Sequence, residues 1–133
     1  MCNALYAGQQ QRVMIFDARP QINARANMFK GGGYETCDSK NYANCQIKFC
    51  RIPNIHEVRT CTRKLFQLAY SDSQDSSKVW QQSVDATGYR QVLQLILDAT
   101  NDILNSIAQE PDQNILIHCS DGWDRTSQLC ALS

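Results

Sequence analysis

Short apolar runs alternate along the sequence with longer segments of helical period. The apolar runs, which predict β-strands, cover residues 12–17, 46–51 and 114–118. The periodic segments, which predict helices, cover residues 21–29, 54–70 and 88–109. A further helical pattern begins at Arg125 or Thr126. Strands that alternate with helices in this way predict an α/β fold.

The segment 88–109 carries the clearest helical signal. Its apolar residues recur every three or four positions and form one stripe: Val92, Ile96, Ala99, Ile103 and Ile107. A stripe of this kind predicts a helix that packs one face against the core, rather than a cofactor site.

Local signals predict where the other elements begin and end. Asn54, with Glu57 three residues later, predicts the N-cap of the second helix. The three glycines at 31–33 predict the turn that ends the first helix. The polar segment 71–78 lacks apolar periodicity and predicts a surface loop.

Composition limits the class of protein. The chain has 133 residues, of which 43% are hydrophobic and 20% charged, so it fits one globular domain and is too apolar for disorder. No apolar run approaches the length of about 18 residues that a membrane span needs. Residues 1–12 lack the pattern of a signal peptide. We therefore expect a soluble intracellular protein.

The seven cysteines and the uneven charge refine that expectation. With no signal peptide and no C-x-x-C pair, the cysteines predict reduced thiols, and their spacing argues against structural zinc. Residues 1–70 carry ten basic against four acidic side chains, and residues 71–133 carry three against nine. The basic half either faces an anionic surface or packs against the acidic half, and the sequence leaves both open.

A cysteine followed by an arginine six positions later occurs twice. The copy formed by Cys45 and Arg51 is strand-like, contains no glycine and precedes no helix, so we interpret it as a decoy whose cysteine fills the core or the surface. The copy formed by Cys119 and Arg125 follows an apolar strand, contains Gly122 and precedes a helix. Such a loop can present backbone N–H groups and a helix N-terminus to an anion.

The second copy has the groups that covalent phosphoryl transfer needs. The anion-binding field lowers the pKa of Cys119 and makes its thiolate a nucleophile at neutral pH. Arg125 can hold two phosphoryl oxygens in a bidentate fork, and Thr126 can donate to the sulfur as it leaves. This chemistry needs no metal and no cofactor.

Two carboxyl groups, those of Asp121 and Asp124, lie in the same loop. One of them can protonate the leaving group, and the other can accept hydrogen bonds from substrate hydroxyls, which favours a polyol over a phenol. Alternatively, one or both only cap the helix. His118 is expected to hydrogen-bond the backbone and fix the loop, and Trp123 is either a core anchor or a wall against the substrate ring.

Four segments of the sequence resemble a known family. The string HCSDGWDRTSQL (118–129) is similar to the active-site signature of the myotubularin phosphoinositide phosphatases, and FDARPQINARAN (16–27), KGGGYE (30–35) and NIHEVRTCTRKL (54–65) resemble that family's upstream blocks in the same order. The resemblance implies a cysteine-dependent, protein tyrosine phosphatase-like fold. It also implies removal of the 3-phosphate from phosphatidylinositol 3-phosphate and phosphatidylinositol 3,5-bisphosphate.

The resemblance also implies roles for individual residues. Cys119 would be the phosphocysteine nucleophile, Arg125 the phosphate-binding arginine, and Asp124 the acid, with Asp121 as second candidate. The head group would be lined by Ser120, Asp121, Gly122, Trp123 and Asp124. Asn27, Asn54 and Ile55 match positions near the substrate in that family. Their alternatives are a helix C-cap for Asn27, an N-cap for Asn54 and a core position for Ile55.

The family further implies surroundings that this chain lacks. Its members carry a PH-GRAM domain before this region and more catalytic domain after it, so residues 1–133 are expected to be a partial phosphatase domain, incomplete at both ends. A tryptophan usual in the family is Tyr89 here. We expect a phosphoinositide head group at a membrane surface as partner, no nucleic acid, association with other myotubularins through regions absent here, and a cytoplasmic location on endosomal or other intracellular membranes.

Other functions remain open. A tyrosine or dual-specificity phosphatase shares the C-x5-R motif, but normally takes its acid from a separate loop. Sac-type phosphoinositide phosphatases place aspartates in the loop, but lack the GWDR string and the upstream blocks. A catalytically inactive adaptor is the third alternative, although such proteins typically lose the nucleophile or the arginine, and Cys119 and Arg125 are both present.

Overall fold

A small parallel sheet and a set of helices make up the fold. The computed structural model describes residues 12–29, 31–71 and 77–133. Its strands are β1 (Val13–Asp17), β2 (Cys45–Phe49) and β3 (Asn114–His118). Its helices are α1 (Gln21–Met28), α2 (Ile55–Ala69), α3 (Ser77–Ala86), α4 (Tyr89–Gln109) and α5 (Arg125–Leu132). The mixed α/β architecture predicted from the sequence is therefore confirmed.

The order and register of the strands decide which loops meet. The strand order is β2-β1-β3, and both pairings are parallel. Asp17 pairs with Phe49 on one side and with His118 on the other, so all three strands end at one edge of the sheet. The loops that follow the strands are consequently neighbours, which is where open α/β sheets place their ligands.

The main core lies between this edge of the sheet and the helices α4 and α5. Its buried members are Phe16, Ala18, Cys50, Ile52, Ala99, Ile103, Cys119 and Leu129. Most of the predicted stripe on α4 is buried, because Val92, Ala99 and Ile103 are buried and Ile96 packs against the core cluster that contains Ala99 and Ile103. Ile107 is an exception, since it is 48% exposed near the end of the helix.

Several predicted boundaries needed correction. The loop expected at 71–78 ends earlier, because α3 begins at Ser77; residues 72–76 lie outside the described residues. Helix α3 was not predicted; it has ten residues, its large apolar side chains Val79 and Trp80 stay exposed, and no residue of it is buried. Strand β2 ends at Phe49, two residues before the prediction, and Arg51 adopts a left-handed φ of 60°.

The helix ends test two of the capping hypotheses. Asn54 caps α2, because its side-chain oxygen accepts from the backbone N–H groups of His56 and Glu57. Asn27 is not a C-cap, since α1 continues to Met28 and Phe29 occupies the cap position. The predicted turn at 31–33 is present, with Gly31 at a φ of 81° that favours glycine.

Two expectations from composition, the absence of a signal peptide and the absence of a membrane span, concern different parts of the chain. The expectation that the chain has no signal peptide rests almost entirely on residues 1–11, which lie outside the described residues. Across the described ranges, none of the helices combines the length and the apolar character that a membrane span requires.

Candidate active site

The loop that follows β3 is folded around the sulfur of Cys119. Cys119 comes directly after the last residue of β3, and α5 begins at Arg125. Gly122 has a φ of 84°, a left-handed conformation that turns the backbone, and its N–H donates to Cys119 Sγ over 3.3 Å. The loop therefore presents backbone donors to the sulfur, as the sequence predicted.

These donors change the acidity of the Cys119 thiol. Burial alone raises its pKa, but hydrogen bonds from the Thr126 side chain and from the backbone N–H groups of Thr126, Gly122 and Asp121 outweigh that effect and lower the pKa to about 7. Cys50, which burial drives the other way, has a pKa of about 11. As the pH rises through neutrality, Cys119 becomes a thiolate while Cys50 stays a thiol.

The guanidinium of Arg125 is buried behind the same loop. Only 8% of Arg125 is exposed; its Nη1 donates to the carbonyl of Ile52 and its Nη2 to the hydroxyl of Ser120, each over 3.3 Å. Arg125 Nε is buried without a hydrogen-bond partner among the described residues, and the buried hydroxyl of Thr126 has only the sulfur of Cys119 as its acceptor. Buried donors without acceptors are costly, so donors placed beside a thiolate suit an incoming anion.

The two loop carboxylates have different surroundings. Asp121 lines the cleft beside Cys119. Asp124 holds the N-cap position of α5, but its side chain makes no capping hydrogen bond and instead accepts from Gln128 Nε2 over 2.8 Å. The capping alternative is therefore wrong for Asp124, whose carboxylate is oriented by a side chain one turn further along α5.

A cleft of about 740 Å³ opens in front of the sulfur. Of the residues expected near the substrate, it is lined by Asn27, Cys119, Ser120 and Asp121. Gly122, Trp123, Asp124 and Arg125 are not part of the described lining, and neither are Asn54 and Ile55. Asn54 is occupied by its cap, and Ile55 begins a separate apolar groove of about 580 Å³ along the exposed face of α2.

Three charged residues of the site were missed in the sequence. Asp17 and Arg19, at the end of β1, form a buried ion pair in which Arg19 Nη2 lies 2.7 Å from Asp17 Oδ2. The same Nη2 donates to the carbonyl of Gly33 over 2.7 Å. Glu35 lines the cleft together with Arg19. For Asp17 and Arg19 the available signal was their position at the end of a buried strand, at the edge where parallel sheets bind ligands; Glu35, which follows the glycine turn after α1, has no such signal.

The remaining expectations have mixed outcomes. His118 Nδ1 lies 3.2 Å from the carbonyl oxygen of Cys119, so the predicted contact with the backbone is confirmed. Trp123 is 63% exposed, and its interpretation as a core anchor is therefore wrong. In the decoy motif, Cys45 is buried in a second cluster with Val13 and Ile15, and Arg51 is exposed. Among the described residues, no three potential metal ligands cluster.

Comparison with known proteins covers the whole chain. The family model of the Myotubularin-like phosphatase domain matches residues 1–133. The chain is 37% identical over 126 residues to Myotubularin of Xenopus tropicalis, covering 95% of this chain and 20% of that relative. It is 39% identical over 125 residues to Phosphatidylinositol-3,5-bisphosphate 3-phosphatase MTMR2 of Gallus gallus, covering 94% and 21%, and 38% identical over 125 residues to the same-named protein of Mus musculus, covering 94% and 19%. The chain thus spans about a fifth of the length of these relatives.

Proposed function

The chain belongs to the myotubularin-like phosphatase family, and from this we propose that it forms part of a phosphoinositide 3-phosphatase with a cysteine-dependent, tyrosine phosphatase-like fold. The proposed substrates are phosphatidylinositol 3-phosphate and phosphatidylinositol 3,5-bisphosphate. The observation that carries the proposal is the Cys119 thiol, whose pKa is lowered to about 7 beside the buried donors of Arg125 and Thr126. A nucleophile and an anion-binding fork at one loop are what phosphoryl transfer requires.

The proposed reaction has two steps. The thiolate of Cys119 attacks the phosphorus of the 3-phosphate, the bond from phosphorus to the inositol oxygen breaks, and that oxygen takes a proton from Asp124. A water molecule, losing a proton to the same carboxylate, then attacks the phosphocysteine. The sulfur–phosphorus bond breaks, inorganic phosphate leaves and the thiolate is restored. Arg125 stabilises the charge of the transferred phosphoryl group in both steps.

The surroundings of the cleft support a polyol substrate. Asn27, Ser120 and Asp121 bring amide, hydroxyl and carboxylate groups to its lining, and such groups hydrogen-bond the hydroxyls of an inositol ring. MTMR2 of Gallus gallus, a relative of this chain, is named for phosphatidylinositol 3,5-bisphosphate. Because the substrate is a lipid, we further propose that the whole protein acts at the cytoplasmic face of endosomal or other intracellular membranes, in association with other myotubularins.

Phosphate release from two classes of substrate tests the function. We expect kcat/KM for soluble short-chain phosphatidylinositol 3-phosphate and phosphatidylinositol 3,5-bisphosphate to exceed that for a phosphotyrosine peptide by at least about a hundredfold. Turnover of the peptide alone would assign the chain to the tyrosine phosphatases. If a chain shown to be folded by circular dichroism released no phosphate from any of these substrates, the result would favour the adaptor alternative.

Exchanging the loop carboxylates for amides separates their proposed roles. Asp124→Asn is expected to lower kcat on the lipid by about 10²- to 10⁴-fold, the usual contribution of a general acid. The kcat of the same variant should fall much less on an aryl phosphate, whose leaving group departs as a phenolate and needs no proton. Asp121→Asn, which changes the lining of the cleft, is expected to act mainly on KM. The reverse pattern, measured by steady-state kinetics on both substrates, would exchange the two roles.

A further inference from the structure

Glu35 contacts the ring of His118, the residue that directly precedes Cys119 of the active-site loop. His118 Nε2 lies 3.2 Å from Glu35 Oε2 and 3.9 Å from Asp17 Oδ2. Both atoms of the closer contact are buried, and neither makes a hydrogen bond of standard geometry with any described residue, so the pair lies at ion-pair distance without a formed hydrogen bond. Asp17 is already held by Arg19 through three side-chain hydrogen bonds. Glu35 is therefore the carboxylate that is free to pair with the ring.

Both nitrogens of this ring face oxygen atoms that only accept hydrogen bonds. Nδ1 lies 3.2 Å from the carbonyl oxygen of Cys119, and Nε2 faces the carboxylate of Glu35. A neutral imidazole has one N–H group and can serve only one of these acceptors, whereas the imidazolium serves both. A proton on each nitrogen is the state in which neither acceptor faces a lone pair of the ring.

The charges around Cys119 agree with this state. Asp17 is neutralised by Arg19, and the Cys119 thiolate faces the donors of Arg125 and its loop. Arg19, which is bonded to Asp17, also attracts Glu35 electrostatically, so a neutral His118 would leave two carboxylates sharing one guanidinium in the lining of a cleft that has to accept a phosphate. With the imidazolium in place, each carboxylate behind the loop has its own cation.

The segment that leads into Glu35 is anchored at two points. The carbonyl of Gly33, two residues before it, accepts a hydrogen bond from Arg19 over 2.7 Å. Tyr34, its direct neighbour, packs edge-on against Phe49 of β2 with ring centroids 5.3 Å apart. The segment that carries Glu35 is thus attached to the ends of β1 and β2, so the carboxylate is placed by the sheet rather than by a free surface loop.

We infer that Glu35 is a positioning residue that holds the His118 imidazolium against the Cys119 carbonyl and thereby favours the thiolate. The inference deepens the proposed function, since a thiolate is its nucleophile. The groups facing the ring are Asp17 from β1, Glu35 from the loop after α1 and the carbonyl of Cys119, while Arg19 lines the same cleft. Two measurements that need no turnover test it, so its failure is distinct from failure of the phosphatase proposal.

The first measurement is the pH dependence of alkylation at Cys119, followed by peptide mass spectrometry because the chain has seven cysteines. We expect the midpoint, about 7 in the unchanged chain, to move up by about half a pH unit in Glu35→Gln, which means about threefold slower alkylation below the midpoint. A carboxylate that acts only by its own charge predicts the opposite sign, because its removal favours the thiolate. A midpoint that stays or falls would overturn the inference.

Two further variants show whether the direction of the shift in Glu35→Gln reflects loss of the contact with His118 or only loss of a negative charge. Glu57→Gln removes the same charge from the exposed first turn of α2 and should leave the midpoint unchanged. In a His118→Asn background, Glu35 has no ring to hold, so Glu35→Gln should lower the midpoint instead of raising it. A rise in that background as well would mean that Glu35 does not act through His118.

The second measurement observes the ring directly. The chain has two histidines, and His56 is exposed on α2, so ¹⁵N-labelled histidine gives one reference signal and one signal from the site. We expect the nitrogen shifts of His118 at neutral pH to show a proton on both nitrogens, and Glu35→Gln to abolish that pattern without affecting His56. A neutral His118 in the unchanged chain would overturn the inference.

Discussion

Replacing Cys119 with serine is expected to lower kcat for phosphate release from soluble phosphatidylinositol 3-phosphate by at least about a thousandfold. A serine hydroxyl is a weak nucleophile unless a base stands beside it, and the hydrogen bonds that lower the pKa of the thiol to about 7 cannot bring a hydroxyl to ionise at neutral pH. Binding of the lipid should persist, because the donors of the loop and Arg125 are unchanged.

Cys130→Ser is the matched control for this experiment. Cys130 is an exposed cysteine on α5, the helix that begins at Arg125, and it does not contribute to the described lining of the cleft. Its replacement should leave kcat and KM unchanged. Appreciable phosphate release by Cys119→Ser, measured beside this control and with lipid binding intact, would exclude the phosphocysteine route.

The predictable parts of the fold were those that local sequence determines. Strand β1 is an apolar run in the sequence because it lies in the centre of the sheet, where consecutive side chains such as Ile15 and Phe16 are each only 1% exposed. Asn54 was predictable as a cap, since its hydrogen bonds reach only two and three residues along the chain. In contrast, α3 has only ten residues, fewer than the window of about 11–18 residues in which a helical period can be recognised.

The active site divides in the same way. Cys119, Gly122, Arg125 and Thr126 lie within eight residues of sequence, and the strand–loop–helix pattern around them was sufficient to predict a thiol with a lowered pKa. Arg19 and Glu35 come from other segments and reach the cleft only because the parallel register aligns the ends of β1 and β3. Pairing of that kind depends on tertiary structure, and a single sequence contains no periodic signal for it.

Of the proposed substrate contacts outside the active-site loop, Asn27 lines the cleft, whereas Asn54 and Ile55 do not. Asn27 lies at the end of α1, where the glycine turn folds the chain back towards Cys119, and it lines the cleft. Asn54 and Ile55 begin α2, and only the carbonyl of Ile52, just before them, reaches Arg125. Their proposed contacts with substrate therefore stay predictions, which the kinetics of variants can address.

Arg125→Lys is expected to reduce kcat/KM for the lipid by about 10- to 150-fold, although the positive charge is kept. Lysine is a point charge and cannot reproduce the planar fork that holds two phosphoryl oxygens, so about one charge-assisted hydrogen bond in the transition state is lost. Because Arg125 also donates to Ile52 and Ser120, part of its role is structural. The free energy of unfolding, measured in urea, has to accompany the kinetics to separate the two contributions.

The decoy motif supplies the control for this variant. Arg51 stands six residues after Cys45 as Arg125 does after Cys119, but it is exposed, and strand β2 rather than a loop separates it from its cysteine. Arg51→Lys should leave kcat/KM unchanged, while inhibition by inorganic phosphate should weaken in Arg125→Lys alone. If Arg125→Lys kept full kcat/KM and full phosphate inhibition, bidentate binding by Arg125 would be wrong. Since both variants conserve charge, a loss confined to Arg125 measures geometry rather than the general electrostatic field of the chain.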